Sequence, residues 1–195
     1  MTNYYEQLLV RSCYTGADPA NNQHAMTFFS IALQIRAKNI LELGVRDGGS
    51  TFPLLVASQI MNGHLTSIDI EDSKCVMPPD LAKHWTFLKT DALVFLEQNE
   101  KKFDLIYVDD WHSYSHVKKE LEFIDKIADK NTVILLHDLM GMSHHPHYFY
   151  PKDAPADSEW GEGGPFRAVM ELDRNKWEWA TIPVDHGLTI LRKII

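Results

Sequence analysis

Short apolar runs at 39–43, 65–70, 86–88, 105–108 and 132–136 alternate with helical patterns, the clearest at 50–61, 92–97 and 113–127. Parallel strands need a crossover connection, usually a helix, so this alternation predicts βαβ units and a mostly parallel sheet. Leu105-Ile106-Tyr107-Val108 and Val133-Ile134-Leu135-Leu136 are apolar without alternation, as expected of strands covered on both faces. Their polar flanks, Asp109 and His137, mark strand ends rather than the interior of a buried helix. Before the first run, Met26, Phe28, Phe29, Ile31, Ala32, Leu33 and Ile35 give the stretch 22–37 a broad apolar helical face. After the fifth, a helix at 165–172 precedes strand-like runs at 177–182 and 188–192. The turn signal Asp185-His186-Gly187 joins these two as an antiparallel hairpin. The expected fold class is therefore α/β: a doubly wound, mostly parallel seven-stranded sheet with a terminal antiparallel hairpin and helices on both faces.

A chain of 195 residues suits one domain with one sizeable core. Its expected parts are an N-terminal helical cap (1–38), a ligand-binding core (39–139), a lid or substrate loop rich in His, Pro, Asp and Gly (140–164), and the terminal helix and hairpin (165–195). With 19 Lys and Arg against 27 Asp and Glu, the net charge is −8, and no basic run offers a nucleic-acid surface. No apolar stretch reaches membrane-spanning length, and the start Met1-Thr2-Asn3-Tyr4-Tyr5-Glu6 lacks the pattern of a signal peptide. Cys13 and Cys75 have no metal-ligand spacing and read as reduced thiols, so the expected location is cytoplasmic. The apolar N-terminal helix can pack on a neighbouring subunit, making a homo-oligomer, or cover the chain's own binding site.

Doubly wound sheets bind ligands outside the carboxyl ends of their strands. At the first such end lies Glu42-x-Gly44-x-x-x-Gly48, where Gly44 permits a sharp turn and close backbone approach. The spacing differs from the GxGxxG of dinucleotide folds, and the acids Glu42 and Asp47 disfavour a pyrophosphate. They favour a cationic ligand such as a sulfonium with an α-amino group. Glu42 can instead be a buried carboxylate satisfied by backbone amides. Asp69 ends the second run, placed to accept hydrogen bonds from ribose hydroxyls. Asp91 follows the third, either as an acceptor for an adenine amino group or as a helix N-cap. The fourth and fifth runs end in Asp109-Asp110-Trp111-His112 and His137-Asp138. Asp109, His137 and Asp138 can converge on one divalent cation, a donor set suited to Mg²⁺, Mn²⁺ or another first-row ion. Asp109 can equally cap the following helix, and His137 can be a hydrogen-bonded structural residue. His112 is placed to be a general base.

This ordered series of turn and acids resembles the class I, Rossmann-like methyltransferases over roughly 39–139. The resemblance implies S-adenosylmethionine (SAM) as cofactor, with Gly44 under its methionine part, Asp69 at the ribose and Asp91 near the adenine. Asp109-x-x-His112-Ser113-Tyr114 followed by His137-Asp138 is similar to the small metal-dependent O-methyltransferases related to macrocin-type sugar enzymes and cephalosporin-hydroxylase-like proteins. That similarity implies Asp109, His137 and Asp138 as Mg²⁺ ligands, His112 as base, and a small hydroxylated acceptor, a sugar or natural product. Asp110-Trp111 stands where that group usually has Gly-Asp, which leaves the acceptor pocket open. Tyr148, Tyr150, Trp160 and Phe166 are candidate pocket walls, and His144, His145 and His147 read as part of a polar lid. Two other readings remain at this point: a nicotinamide-dependent oxidoreductase on a similar sheet, and a non-catalytic cofactor-binding protein.

Overall fold

A computed structural model of the chain describes residues 3–13, 22–140, 158 and 161–195. Helices α1 (Tyr4–Cys13) and α2 (Ala25–Gln34) precede β1 (Asn39–Leu43), α3 (Thr51–Met61), β2 (His64–Asp69), the short α4 (Pro79–Ala82) and β3 (Trp85–Lys89). Then come α5 (Ala92–Gln98), β4 (Leu105–Val108), α6 (Tyr114–Ile127), β5 (Val133–Leu136), α7 (Gly164–Met170), β6 (Trp177–Ile182) and β7 (Leu188–Lys193). The sheet order is β3-β2-β1-β4-β5-β7-β6, with β1 to β5 parallel and β7 antiparallel to both β5 and β6. The order reverses between β1 and β4, so the loops after these strands open the cleft where such sheets bind ligands.

Both sheet faces are covered, which is why the central strands are apolar throughout. Leu41, Leu43, Ile106, Val108, Ile134 and Leu136 pack against α5, α6 and α7 on one face. Ile40, Leu105, Tyr107 and Leu135 pack against α1, α2 and α3 on the other. Each buried Leu of this kind stabilises by about 2–5 kcal/mol relative to Ala.

The helix expected over 22–37 is shorter. Arg36 adopts φ 55°, and the amides of Arg36 and Ala37 bond back to Leu33 and Ala32, closing α2 with a left-handed cap. The short α4 has no counterpart among the elements expected from the sequence; the other departures in the core are shifts of one or two residues at element ends. Most of the expected lid at 140–164 lies outside the described residues, and with it His144, His145, His147, Tyr148, Tyr150 and Trp160. Phe166 lies half-exposed on α7 and does not wall the main cavity.

Candidate active site

Strand β1 runs into Gly44, whose φ of 90° suits glycine; a Cβ there would lie 2.1 Å from the carbonyl oxygen of Asp109. The turn thus brings the ends of β1 and β4 into backbone contact, and any side chain would force them apart. Gly48, at φ 82°, is closed against Cys75, with 2.7 Å from an added Cβ to the Cys75 Cβ. Asp69 fastens this loop: the amides of Val45 and Arg46 donate to its Oδ2 at 2.9 and 3.0 Å, and that of Glu71 to its Oδ1 at 2.9 Å. Glu42 lies beneath the turn rather than on its open side. It is fully buried and accepts from Ser50 (2.7 Å), Thr51 (2.9 Å) and Ser67 (2.5 Å). Its partners are hydroxyls, not the backbone amides expected. Ser50 therefore does not cap α3 with its side chain, because its hydroxyl serves Glu42. Burial pushes the Glu42 carboxyl up to about 7 despite these three donors.

Four titratable side chains meet beyond β4 and β5. His112 Nε2 lies 2.9 Å from Asp138 Oδ2 and 3.5 Å from Asp109 Oδ1. His137 Nδ1 lies 3.0 Å from Asp138 Oδ2 and 3.4 Å from Asp109 Oδ1. The Tyr107 hydroxyl donates to Asp109 Oδ2 at 2.7 Å. Asp138 sits at φ 62°, a left-handed conformation that aims its carboxylate back at this cluster. Burial opposes charge at both imidazoles and both carboxylates, yet the opposite charges win. His112 is raised to about 10, because hydrogen bonds to Asp109 and Asp138 outweigh its desolvation. His137 is likewise pushed well up, and Asp109 and Asp138 are held below the usual carboxylate range by the two imidazoles.

The cluster floors a cavity of about 870 Å³ whose wall continues through Gly44, Asp69, Asp91 and Trp111. Pockets of roughly 300–1,000 Å³ hold small-molecule ligands and cofactors. Asp91 both lines this space and caps α5, accepting from the Val94 amide at 3.1 Å. Neither Glu42 nor Gly48 reaches it.

Residues 41–139 match the model of a family described as a methyltransferase domain. The chain belongs to that family. Among solved structures, this methyltransferase resembles the Podospora anserina methyltransferase PaMTH1 bound to S-adenosylhomocysteine (SAH), at 17% identity and TM-score 0.67, over 100% of this chain and 89% of that one. An SAH complex of the Bacillus cereus O-methyltransferase aligns at 14% identity and TM-score 0.63, over 96% and 89% of the two chains. CmcI with Mg and SAM aligns at 18% identity and TM-score 0.61, over 91% and 72%. These likenesses establish the Rossmann-like methyltransferase fold. A search of curated proteins finds no relative.

Three residues around the methyltransferase's cluster escaped the sequence reading. His24 is buried before α2, its Nε2 lies 3.0 Å from the Val184 carbonyl, and its ring centroid is 5.4 Å from that of His137. His186, in the turn between β6 and β7, has Nδ1 at 3.8 Å from Asp138 Oδ1. Asp185 beside it groups with His24 and His137. Asp185-His186-Gly187 carries a turn signal that says nothing of what its side chains face, and His24 has no local pattern at all.

Proposed function

We propose that this methyltransferase transfers the methyl group of SAM to a hydroxyl of a small acceptor, a sugar or natural product, with a divalent cation held by Asp109, His137 and Asp138. The observation that carries the reading is the convergence of these three side chains and His112 on the floor of the cavity that Gly44 and Asp69 also line. Donor atoms of Asp109, His137 and Asp138 already lie within 4.8 Å of one another. The two carboxylates share one nitrogen of each imidazole, His112 Nε2 and His137 Nδ1, and the buried His137 Nε2 has no hydrogen-bond partner. Two carboxylates and an imidazole suit Mg²⁺ or Mn²⁺.

When bound, such an ion lowers the pKa of a coordinated hydroxyl and orients it. The protein's own groups supply the rest. Gly44 lets β1 meet the end of β4 and lies in the cavity wall under the methionine part of the cofactor. Asp69, whose Oδ2 already holds the loop amides, offers its remaining lone pairs to the ribose, and Asp91 stands beside the adenine. His112 takes the acceptor's hydroxyl proton as the neutral imidazole, a form open to it once Asp109 and Asp138 are neutralised. The oxygen then displaces the sulfonium, the S–CH₃ bond breaks as the O–CH₃ bond forms, and SAH remains. The net charge of −8 argues against a nucleic-acid acceptor. The two free cysteines fit a reducing compartment such as the cytoplasm. Among the described residues no helix is long and apolar enough to cross a membrane.

The test is calorimetric titration with SAH, NAD and Mn²⁺, followed by turnover with hydroxylated metabolites. SAH and Mn²⁺ should bind, and Asp109→Asn should abolish both Mn²⁺ binding at this cluster and methyl transfer. Binding of NAD in place of SAH, or full turnover by Asp109→Asn, would refute the proposal.

A further inference from the structure

A second group of ligand-type side chains begins one residue after Asp109. His116 Nε2 lies 2.9 Å from Asp110 Oδ2 and 3.8 Å from Glu120 Oε1. One donor atom from each of Asp110, His116 and Glu120 lies within 4.8 Å of the others. Glu120 is fully buried on the inward stripe of α6, among Val117, Leu121 and Ile124, where packing alone would place an apolar residue. Both of its carboxyl oxygens, and Oδ1 of Asp110, are sealed from solvent and find no donor while the two acids are ionised; burial and the neighbouring Asp110 push the Glu120 carboxyl well up, toward a protonated form that can bond to Asp110. Leaving a buried polar group unpaired costs about 1–3 kcal/mol, and more for a charged one. Three oxygens without partners are thus a large penalty to carry for no return. One shared proton relieves at most two of them, whereas a cation relieves all three.

We propose that Asp110, His116 and Glu120 form a second divalent-cation site, separate from Asp109, His137 and Asp138. Two carboxylates and an imidazole favour a first-row ion such as Mn²⁺ over Ca²⁺, which takes oxygen ligands. Donors about 2.1 Å from one ion lie at most about 4.2 Å apart; His116 Nε2 is already within that reach of Asp110 Oδ2 and Glu120 Oε1, at 2.9 and 3.8 Å. Asp110 and His116 line the main cavity, which gives the ion a route from solvent. Its effect follows from chain connectivity. The residues between β4 and α6 carry both Asp109 and His112, and an ion joining Asp110 to His116 and Glu120 would clamp that segment onto α6.

The test is Mn²⁺ titration of the full chain, with free ion counted by electron paramagnetic resonance. Wild type should bind two ions per chain, and Glu120→Gln and Asp109→Asn should each bind one. A single ion that survives Glu120→Gln and is lost in Asp109→Asn would overturn this inference while leaving the proposed function intact. Two ions retained by Glu120→Gln would overturn it as well, and the carboxyl pair would then share a proton. His116→Asn provides a second variant should Glu120→Gln fold poorly. Anomalous scattering from Mn²⁺-saturated wild-type crystals needs no variant: a peak beside the Glu120 carboxylate is expected, and its absence refutes the site.

Discussion

Glu42 offers a sharp test of how the turn after β1 is built, because its carboxyl is fully buried and surrounded by hydroxyls rather than cations. Its carboxyl is raised from an ordinary 4.5 to about 7 in the folded protein. A folded-state value above the unfolded one means the native state holds its proton more tightly. Glu42 therefore costs nothing below pH 4.5, and stability is lost progressively as pH rises toward 7. At roughly 1.4 kcal/mol per pH unit, the rise from 4.5 to about 7 amounts to about 3.5 kcal/mol in full, of which about 2–3 kcal/mol falls between pH 5 and pH 8. Gln at position 42 keeps the size and an acceptor oxygen for the three hydroxyls, but has no charge to bury. Urea denaturation of wild type and Glu42→Gln should thus give stabilities within about 1 kcal/mol at pH 5 and a variant more stable by about 3 kcal/mol at pH 8. With a slope of about 2–3 kcal/mol per M, the midpoints should separate by about 1 M. Every other titrating group is common to both proteins, so the difference isolates Glu42. Curves that stay parallel from pH 5 to pH 8, to within about 0.5 kcal/mol, would show that the carboxyl is solvated or paired in a way this geometry lacks.

Other perturbations address the turn and the cluster. Gly44→Ala places a Cβ 2.1 Å from the Asp109 carbonyl at a φ of 90°; the strain and the displaced strand end should together cost about 3 kcal/mol or more and weaken SAH binding at least ~10-fold, read by thermal melts and calorimetry. His112→Gln should lower kcat by about 10²–10⁴ while the SAH dissociation constant changes by less than about threefold, read by steady-state kinetics beside calorimetry. Tyr107→Phe removes the 2.7 Å hydrogen bond to Asp109 Oδ2 and should cost about 1–3 kcal/mol of stability, read from denaturant midpoints, a loss absent from the same change made in an Asp109→Ala background, which has no acceptor there.

Much of this architecture is written in short-range patterns. The strands were legible because a doubly covered sheet requires contiguous apolar runs, and 105–108 and 133–136 are such runs. Asp109, His137 and Asp138 were legible for a related reason: charged residues directly after a fully buried strand stand at the edge where such sheets bind ligands. What failed was any reading that depended on distant chain. His24 and His186 reach the same imidazole–carboxylate cluster from opposite ends of the sequence, brought there by the packing of α2 and by the reversed last strands. No periodicity within 24–34 or 182–188 encodes that meeting.

Glu42 and Glu120 are a different case, because periodicity did hold their positions. In β1, Leu41 and Leu43 face one side and Ile40 and Glu42 the other, and a central strand has helices on both sides. Glu42 therefore had to be buried, and the acid that looked like part of an exposed binding turn is a support beneath it. In α6, Val117, Glu120, Leu121 and Ile124 follow the three-and-four spacing of one helical face. A carboxylate on that stripe is buried by the same rule that buries its neighbours. Asking of each acid whether its strand or helix phase points inward, before asking what it could bind, separates the two. Glu42 finds three hydroxyl donors at the end of that inward path; Glu120 finds Asp110 and His116. The first arrangement ties the Gly44 turn to α3 and β2 from beneath. The second leaves buried carboxylate oxygens beside the loop that carries Asp109 and His112, which is why it, and not Glu42, is the place to look for another ion.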